Sequence, residues 1–389
     1  MKTNEEKTCL CALGKIFGFE PKTGTALVDH LGSASEVFKL GKSELEELLG
    51  PHSRYTSLIR KSAVYDAADE LEMLSRQGIG FVGWGEDEYP RLLAECPDAP
   101  LGLYIRSSTP YSQLWETEGS VSIVGTRDIS SYGKEWCGRI VNALAETEER
   151  PAIVSGLALG TDICAHKAAV EAGLPTIAVM ATGADSIYPY RHRDFADRIC
   201  SIPGCALVTD YPPGTPPLPI HFLRRNRIIA GLSNATILVE SKIKGGGMMT
   251  ARLAFSYDRD LYALPGRVDD LRSQGCNSLI HSRMAEAIYS VPELIESIGL
   301  KSLKDTGSED PLKALDSTYG DSVSPDRISQ MATILTLIKN RRNITVEELA
   351  EATSLSYSRT RDLTSLLEID GFICIDLLQR CCINVRKNR

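Results

Sequence analysis

The stretch at 152–180, AIVSGLALGTDICAHKAAVEAGLPTIAVM, holds one complete repeat of the fold. Its first residues, AIVS, are apolar throughout rather than alternating, as a parallel strand covered by helices on both faces requires. A turn of small residues from Gly156 to Gly160 leads into a helix that Thr161 or Asp162 can cap. A second apolar run, TIAVM, follows the helix. The same rhythm recurs in SVSIVG (120–125), ALVTD (206–210), ATILVE (235–240) and LYALPG (261–266). Residues 79–300 are therefore predicted to form a doubly wound α/β domain, with GIGFVGW (78–84) and LGLYIR (101–106) extending its sheet.

Around this domain the pattern changes. Residues 1–78 carry apolar residues at helical spacing, with Gly32 and Gly50 as stops, and read as a small helical module. Within it, FEPKTGTALVDHLG faintly resembles a SAM-like or helix-hairpin-helix-like turn through Gly24, set against plain helix packing. Residues 301–326 are polar and rich in Ser, Asp and Gly, and read as a linker. From 327 to 389 the order helix, helix, helix, hairpin is that of a winged helix.

Composition limits what such a chain can do. Its 389 residues carry 43 Lys and Arg against 51 Asp and Glu, a net charge of −8, so any site for a polyanion must be local. No segment reads as a signal peptide or membrane span, which predicts a cytoplasmic protein without a membrane partner. The 11 cysteines lack metal-site spacing and are expected to be reduced and mostly buried.

Ligands of a doubly wound sheet bind at the carboxyl ends of its strands. The loops expected there are small and polar. In VGTRDISSYG, Arg127 follows the strand at once and would reach a phosphate bound at the next helix N-terminus; its alternative is an ion pair with Asp128. In SGLALGTDICAH, Ser155 and Gly156 end the strand, and His166 is read as structural. Arg191 and Arg193 in MATGADSIYPYRHRDFAD only support this set. Lys244 precedes Gly245, Gly246 and Gly247, a glycine turn whose amides suit phosphate. Neither GxGxxG after the first strand nor GxxxxGK[ST] occurs, so no dinucleotide or nucleotide cofactor is expected.

One stretch remains, HFLRRNRIIAGLS (221–233). Phe222 offers a face for base stacking, while Arg224, Arg225 and Arg227 project differently, some towards phosphates and some towards carboxylates that hold the loop. The alternative is a ring packed under the sheet with arginines as ordinary surface.

Taken together and in order, EDEYPRLLAECPDAPLGLYIR, SIVGTRDISSYG, VSGLALGTDICAH, TIAVMATGADSIYP, TDYPPGTPP, HFLRRNRIIAGLS, GGGMMTA and ALPGRVDDLRSQGCNSLI resemble the DNA-processing protein A family (DprA, also called Smf). That resemblance implies an extended Rossmann-like domain flanked by a helical module and a winged helix. It also implies a homodimer that is not an enzyme, binds single-stranded DNA without sequence preference, protects incoming DNA in natural transformation and loads a RecA-type recombinase. By position, Arg127 matches the family's G-[ST]-R arginine, Ser155 and Gly156 its S-G turn, and Phe222 with Arg225, Asn226 and Arg227 its F-P-x-R-N-R motif. Departures are Leu223 for the usual proline, Gly245 and Gly247 where serines are common, and Ala181 for a glycine. Pro219 and Ile220 stand where a basic residue is often found.

Two rivals remain at this level. A nucleotide-binding or nucleotide-hydrolysing enzyme of related fold would need a glutamate that ALPGRVDDLRSQG and GGGMMTARLAF do not supply. A duplex-DNA regulator acting through the winged helix is weakened because Arg359 and Arg361 are offset by Asp362, Glu368 and Asp370.

Overall fold

The computed structural model describes residues 4–116, 119–303, 315–316, 318–320, 323–341, 344–376 and 379–383. They cluster into two compact units, Met1–Ser302 and Leu303–Arg389. Of the stretch 301–326 read as a linker, residues 304–314, 317 and 321–322 lie outside the described residues.

In the first unit the apolar runs become strands β1 (Ile79–Gly83), β2 (Gly102–Arg106), β3 (Ser120–Val124), β4 (Ala152–Ser155), β5 (Thr176–Val179), β6 (Ala206–Thr209), β7 (Ala235–Leu238), β8 (Asp260–Ala263) and β9 (Glu286–Ala287). They lie in one sheet in the order β1-β2-β6-β5-β4-β3-β7-β8-β9. From β6 to β9 every pairing is parallel, and β2 and β1 add antiparallel at one edge. Every residue of β4, β5, β6 and β7 is buried, the physical reason their sequences do not alternate. Strand β3 pairs with both β4 and β7. The chain runs outward from β3 in one direction and returns to run outward in the other, so a crevice opens beyond the carboxyl ends of β3 and β7.

Helices α1 (Asn4–Phe17), α2 (Pro21–Leu31), α3 (Ala34–Val37), α4 (Lys42–Leu49) and α5 (Lys61–Ser75) cover the β1–β2 edge. Gly32 and Gly50 follow α2 and α4 with φ of 83° and 95°, which favours glycine at both stops. Leu10, Leu13, Phe17 and Leu74 share one core with Phe81, Tyr104 and Leu207 of the sheet. Each such side chain contributes about 1.5–3 kcal/mol by leaving water, so these helices and the sheet edge stabilise one another. Gly24 lies inside α2, where a Cβ would collide with Leu101 and meet Phe17. It is a packing glycine within a helix, as the plain-packing alternative has it, and not the glycine of a hairpin turn.

In the second unit, α14 (Pro325–Asn340), β10 (Ile344–Thr345), α15 (Val346–Thr353), α16 (Tyr357–Ile369), β11 (Ile373–Ile375) and β12 (Arg380–Ile383) follow in chain order. The strands pair antiparallel in the order β10-β12-β11. Thr345 and Glu348 form a capping box on α15, and the Ser356 side chain accepts from an α16 amide. Met331, Ile334, Leu349, Leu363 and Leu367 make the core. Among the described residues no helix is long and apolar enough to cross a membrane.

Candidate nucleic-acid interface

The crevice is shaped first by glycine. A Cβ on Gly125, just after β3, would lie 2.5 Å from Thr161 Oγ1 and 2.8 Å from the Glu240 carbonyl. With no Cβ there, the Thr126 carbonyl accepts from the Thr161 amide at 3.1 Å and its hydroxyl at 3.2 Å. These bonds join the β3 loop to the start of α8 (Thr161–Glu171). Arg127 then leaves the crevice into solvent, its ζ carbon 5.1 Å from the centre of the Phe222 ring. Asp128 is not its partner: that carboxylate takes Arg272 at 2.8 Å.

The phosphate expected at the helix after Arg127 has no vacancy there. Helix α7 (Ser131–Ala145) is capped by Ser130, and the buried Glu240 carboxylate accepts from the Ser130 amide at 2.9 Å and hydroxyl at 2.5 Å. A carboxylate at the positive end of the helix dipole does what a bound anion would do. The expectation is corrected by a residue 110 positions away.

At the end of β4, Ser155 is fully buried and its hydroxyl donates to the Ile123 carbonyl at 2.6 Å. Gly156 leaves the space that the Arg225 guanidinium fills, since any Cβ would collide with it. Leu157 takes a left-handed φ of 56°, and its carbonyl accepts from His192 Nδ1 at 2.8 Å. Below the turn, Asp162 is buried and its carboxyl is pushed up by burial, against the opposing pull of Arg225 and the amides of Ala158 and Gly156.

The stretch treated as a loop at 221–227 is helical. Pro219 opens α10 (Pro219–Gly231), where its fixed φ and missing N–H cost nothing, and Phe222 stands in the first turn. The half-buried Phe222 ring meets Tyr188 edge-on, centres 5.4 Å apart at 64°. Arg224 turns the other way, donating to the Gly18 carbonyl at 2.7 Å with its guanidinium 4.4 Å from the Phe19 ring centre.

Arg225 lies inside the protein and donates to the Val179 carbonyl, while its Nε has no partner among the described residues. Burial holds the guanidinium down to about 10, with Asp162 opposing and Arg127 reinforcing that shift. Asn226 is buried beside it. Arg227 is buried as well, bonded to the Asp98 carbonyl and to the Asp210 carboxylate at 2.5 Å. The expected phosphate contact by Arg227 is thus corrected: an ion pair inside the protein holds it, and its role is to fix α10.

Lys244 is exposed ahead of α11 (Gly246–Ser256), with Gly245 as the helix cap. Gly246 faces open space, whereas a Cβ on buried Gly247 would lie 3.0 Å from Gly125 Cα. That close approach brings the glycine turn beside the Arg127 loop. A cavity of 610 Å³ opens here between Leu223, Ile243, Lys244, Gly246, Met249 and Arg252.

The structure therefore joins Arg127 to Phe222, Gly156 to Arg225, and Gly247 to Gly125, while Ser155, Asn226 and Arg227 lie beneath the surface as supports. Glu240, Tyr188 and Arg252 adjoin the site without having been singled out in the sequence. Arg252 follows Met249 by one helical step, so a period-3.6 reading of GGGMMTARLAF carries its signal. Glu240 has no local signal at all. Groups of three or more potential metal ligands are absent among the described residues.

A family model described as DNA recombination-mediator protein A matches residues 80–299. Protein Smf of Synechocystis sp. is 32% identical over 318 residues, covering 82% of this chain and 79% of that protein. DNA processing protein DprA of Streptococcus pneumoniae is 37% identical over 195 residues, covering 50% of this chain and 66% of that protein. The X-ray structure of the pneumococcal DprA aligns with a TM-score of 0.62 and 28% identity over 76% of this chain and 98% of that one. A structure addressing the single-stranded DNA binding mode of DNA processing protein A from Helicobacter pylori aligns with a TM-score of 0.50 and 30% identity, covering 58% and 96% of the two chains.

Proposed function

The chain belongs to the DNA recombination-mediator protein A family, the DprA/Smf proteins, and from that premise we propose that it binds single-stranded DNA without reading its sequence and delivers it to a RecA-type recombinase. No covalent chemistry is part of this reading. The observation that carries it is the Arg127–Phe222 pair, a cation and an aromatic ring in contact at the rim of the crevice.

Magnitudes give the pair a mechanism. A guanidinium over an exposed ring is worth about 0.5–1 kcal/mol. A base stacked on an aromatic side chain is worth about 1–3 kcal/mol. An arriving base therefore displaces Arg127 from the face of Phe222, and the released guanidinium binds the adjoining phosphate, where its charge and planar donors count most. Lys244 and the Gly246 amide extend the phosphate path along the strand. Arg225 adds buried positive charge from below, and Ser155, Gly156, Asn226, Arg227 and Gly247 keep the crevice in shape.

The nucleotide-enzyme reading fares worse on chemistry, because Glu240, the glutamate among these loops, is occupied by Ser130. The order of elements from 325 to 383 supports a winged helix, and the acidic residues on α16 favour protein contact over a duplex groove for it. The domain division at 78, 300 and 326, a homodimer and a cytoplasmic location complete the proposal.

Titration of labelled oligo-dT and a duplex of equal length over a range of salt tests it. Preferential, salt-dependent binding of the single strand is expected. Equal binding of both, or cleavage of nucleoside monophosphates, would contradict it.

A further inference from the structure

The segment between β5 and α9 (Arg193–Ile199) is tied down along its length. Thr209 Oγ1 donates to the Thr182 carbonyl at 2.9 Å, and Thr182 Oγ1 donates to the Ser186 carbonyl at 2.6 Å. Asp185 accepts from the Gly214 amide at 3.0 Å through both oxygens. At the far end His192 Nδ1 donates to the carbonyl of Leu157, inside the site already described. A segment held this way can bury its large side chains or present them. This one presents two: Tyr188 is 45% exposed and Tyr190 is 75% exposed.

These rings are not isolated. Tyr188 is in edge contact with Phe222, so the aromatic surface continues from the crevice onto this segment. The Arg193 guanidinium stands 5.9 Å from the centre of the Tyr190 ring, repeating the arrangement of Arg127 on Phe222. Arg191 beside it is exposed, and the exposed Arg193 lies 3.8 Å from the Asp197 carboxylate, a surface pair that a phosphate can replace. Exposed rings flanked by arginines on a preorganised loop suit stacking of successive bases, and the backbone charge of the same strand suits the arginines.

We propose that Tyr188 and Tyr190 form a second stacking step, which takes the base that follows the one on Phe222, with Arg191 and Arg193 facing the intervening phosphates. The proposal rests on the single-strand reading above and adds to it a direction: the strand leaves Phe222 across Tyr188 towards α9. Preorganisation gives the step its worth, because the hydrogen bonds have already fixed the loop before the strand arrives.

Oligo-dT of increasing length, bound to wild type and to Tyr190→Ala, Tyr190→Phe and Phe222→Ala, tests this. Wild-type affinity is expected to rise when the strand becomes long enough to reach Tyr190, and Tyr190→Ala to lose that increment, roughly 5- to 150-fold. Tyr190→Phe is expected to keep it, since the ring and not the hydroxyl does the stacking. Thermal midpoints measured alongside identify any folding defect. If Tyr190→Ala matches wild type at every length while Phe222→Ala is weakened, the second step is overturned and the function stands. If both alanine variants bind as wild type does, the strand takes another path and the step is overturned; if wild type binds no oligo-dT, the function falls with it. Loss of recombinase capture by Tyr190→Ala with DNA affinity intact would assign the rings to a protein partner and overturn the step.

Discussion

Arginines 224, 225 and 227 share a short sequence and three different fates: one reaches Gly18, one lies against Gly156, and one is paired with Asp210. Read as a loop, the sequence could not separate them. Read as a helix it could, because Arg225, Ile228, Ile229 and Leu232 recur at the spacing of one helical face, and all four are buried. His166 shows what a buried charge nearby does. Its Nδ1 is hydrogen-bonded to the Thr176 hydroxyl at 2.7 Å. Burial, then the charges of Arg225 and His192, hold it down to about 3 from an ordinary 6.5. In the window between those values the unfolded chain binds a proton that the folded chain refuses. The stability from this residue is therefore complete above pH 6.5 and is lost as the pH falls towards 3, by about 1.4 kcal/mol per unit at most. Asp162, raised by burial, acts in the opposite direction and remains in any variant of His166. Denaturant midpoints at pH 7 and pH 5 should fall less in His166→Gln than in wild type; equal falls would mean that the imidazole titrates in the folded state.

At the scale of elements, strands were the most legible feature, since double burial forces continuous apolar runs. Helix ends were partly so: Gly32 and Gly50 stand where the chain must turn left-handed. What remained hidden was long-range. The hold of Glu240 on Ser130, the cap of α7, joins residues that no local pattern links, and the same holds for Gly125 against Gly247. Another seam of this kind lies between α7 and α8. The neighbouring Cys137 thiol lowers the pKa of Cys164, Lys134 and Lys167 add to that, and burial and Glu171 work against them. Cys9, Cys11, Cys96, Cys200, Cys205 and Cys276 are pushed up by burial, and Cys137 by its neighbour Cys164 and by burial. Since the thiolate is the nucleophile, iodoacetamide at pH 7.5 should modify Cys164 before any of these, as peptide mass spectrometry would report. Earlier labelling of Cys137 would contradict the assignment of the lowered thiol to Cys164.

For the whole molecule, a net charge of −8 excluded binding by bulk attraction and demanded a local site. The proposed path draws on exposed Arg127 and Lys244 at the crevice and exposed Arg191 and Arg193 beyond it, with Arg225 buried beneath. Family membership was legible from eight ordered motifs, whereas the division of labour between surface and support within those motifs was not. Arg127 and Phe222 are predicted to act by different physics, and that difference can be read in one experiment. Oligo-dT affinity should be measured against salt concentration for wild type, Arg127→Ala and Phe222→Ala. Loss of one phosphate contact should weaken Arg127→Ala and reduce its slope of log affinity against log salt by about 0.7. Phe222→Ala should lose roughly 5- to 150-fold in affinity at an unchanged slope, because a ring releases no counterions. Wild-type affinity and slope in both variants would remove this pair from the DNA path and contradict the function built on it.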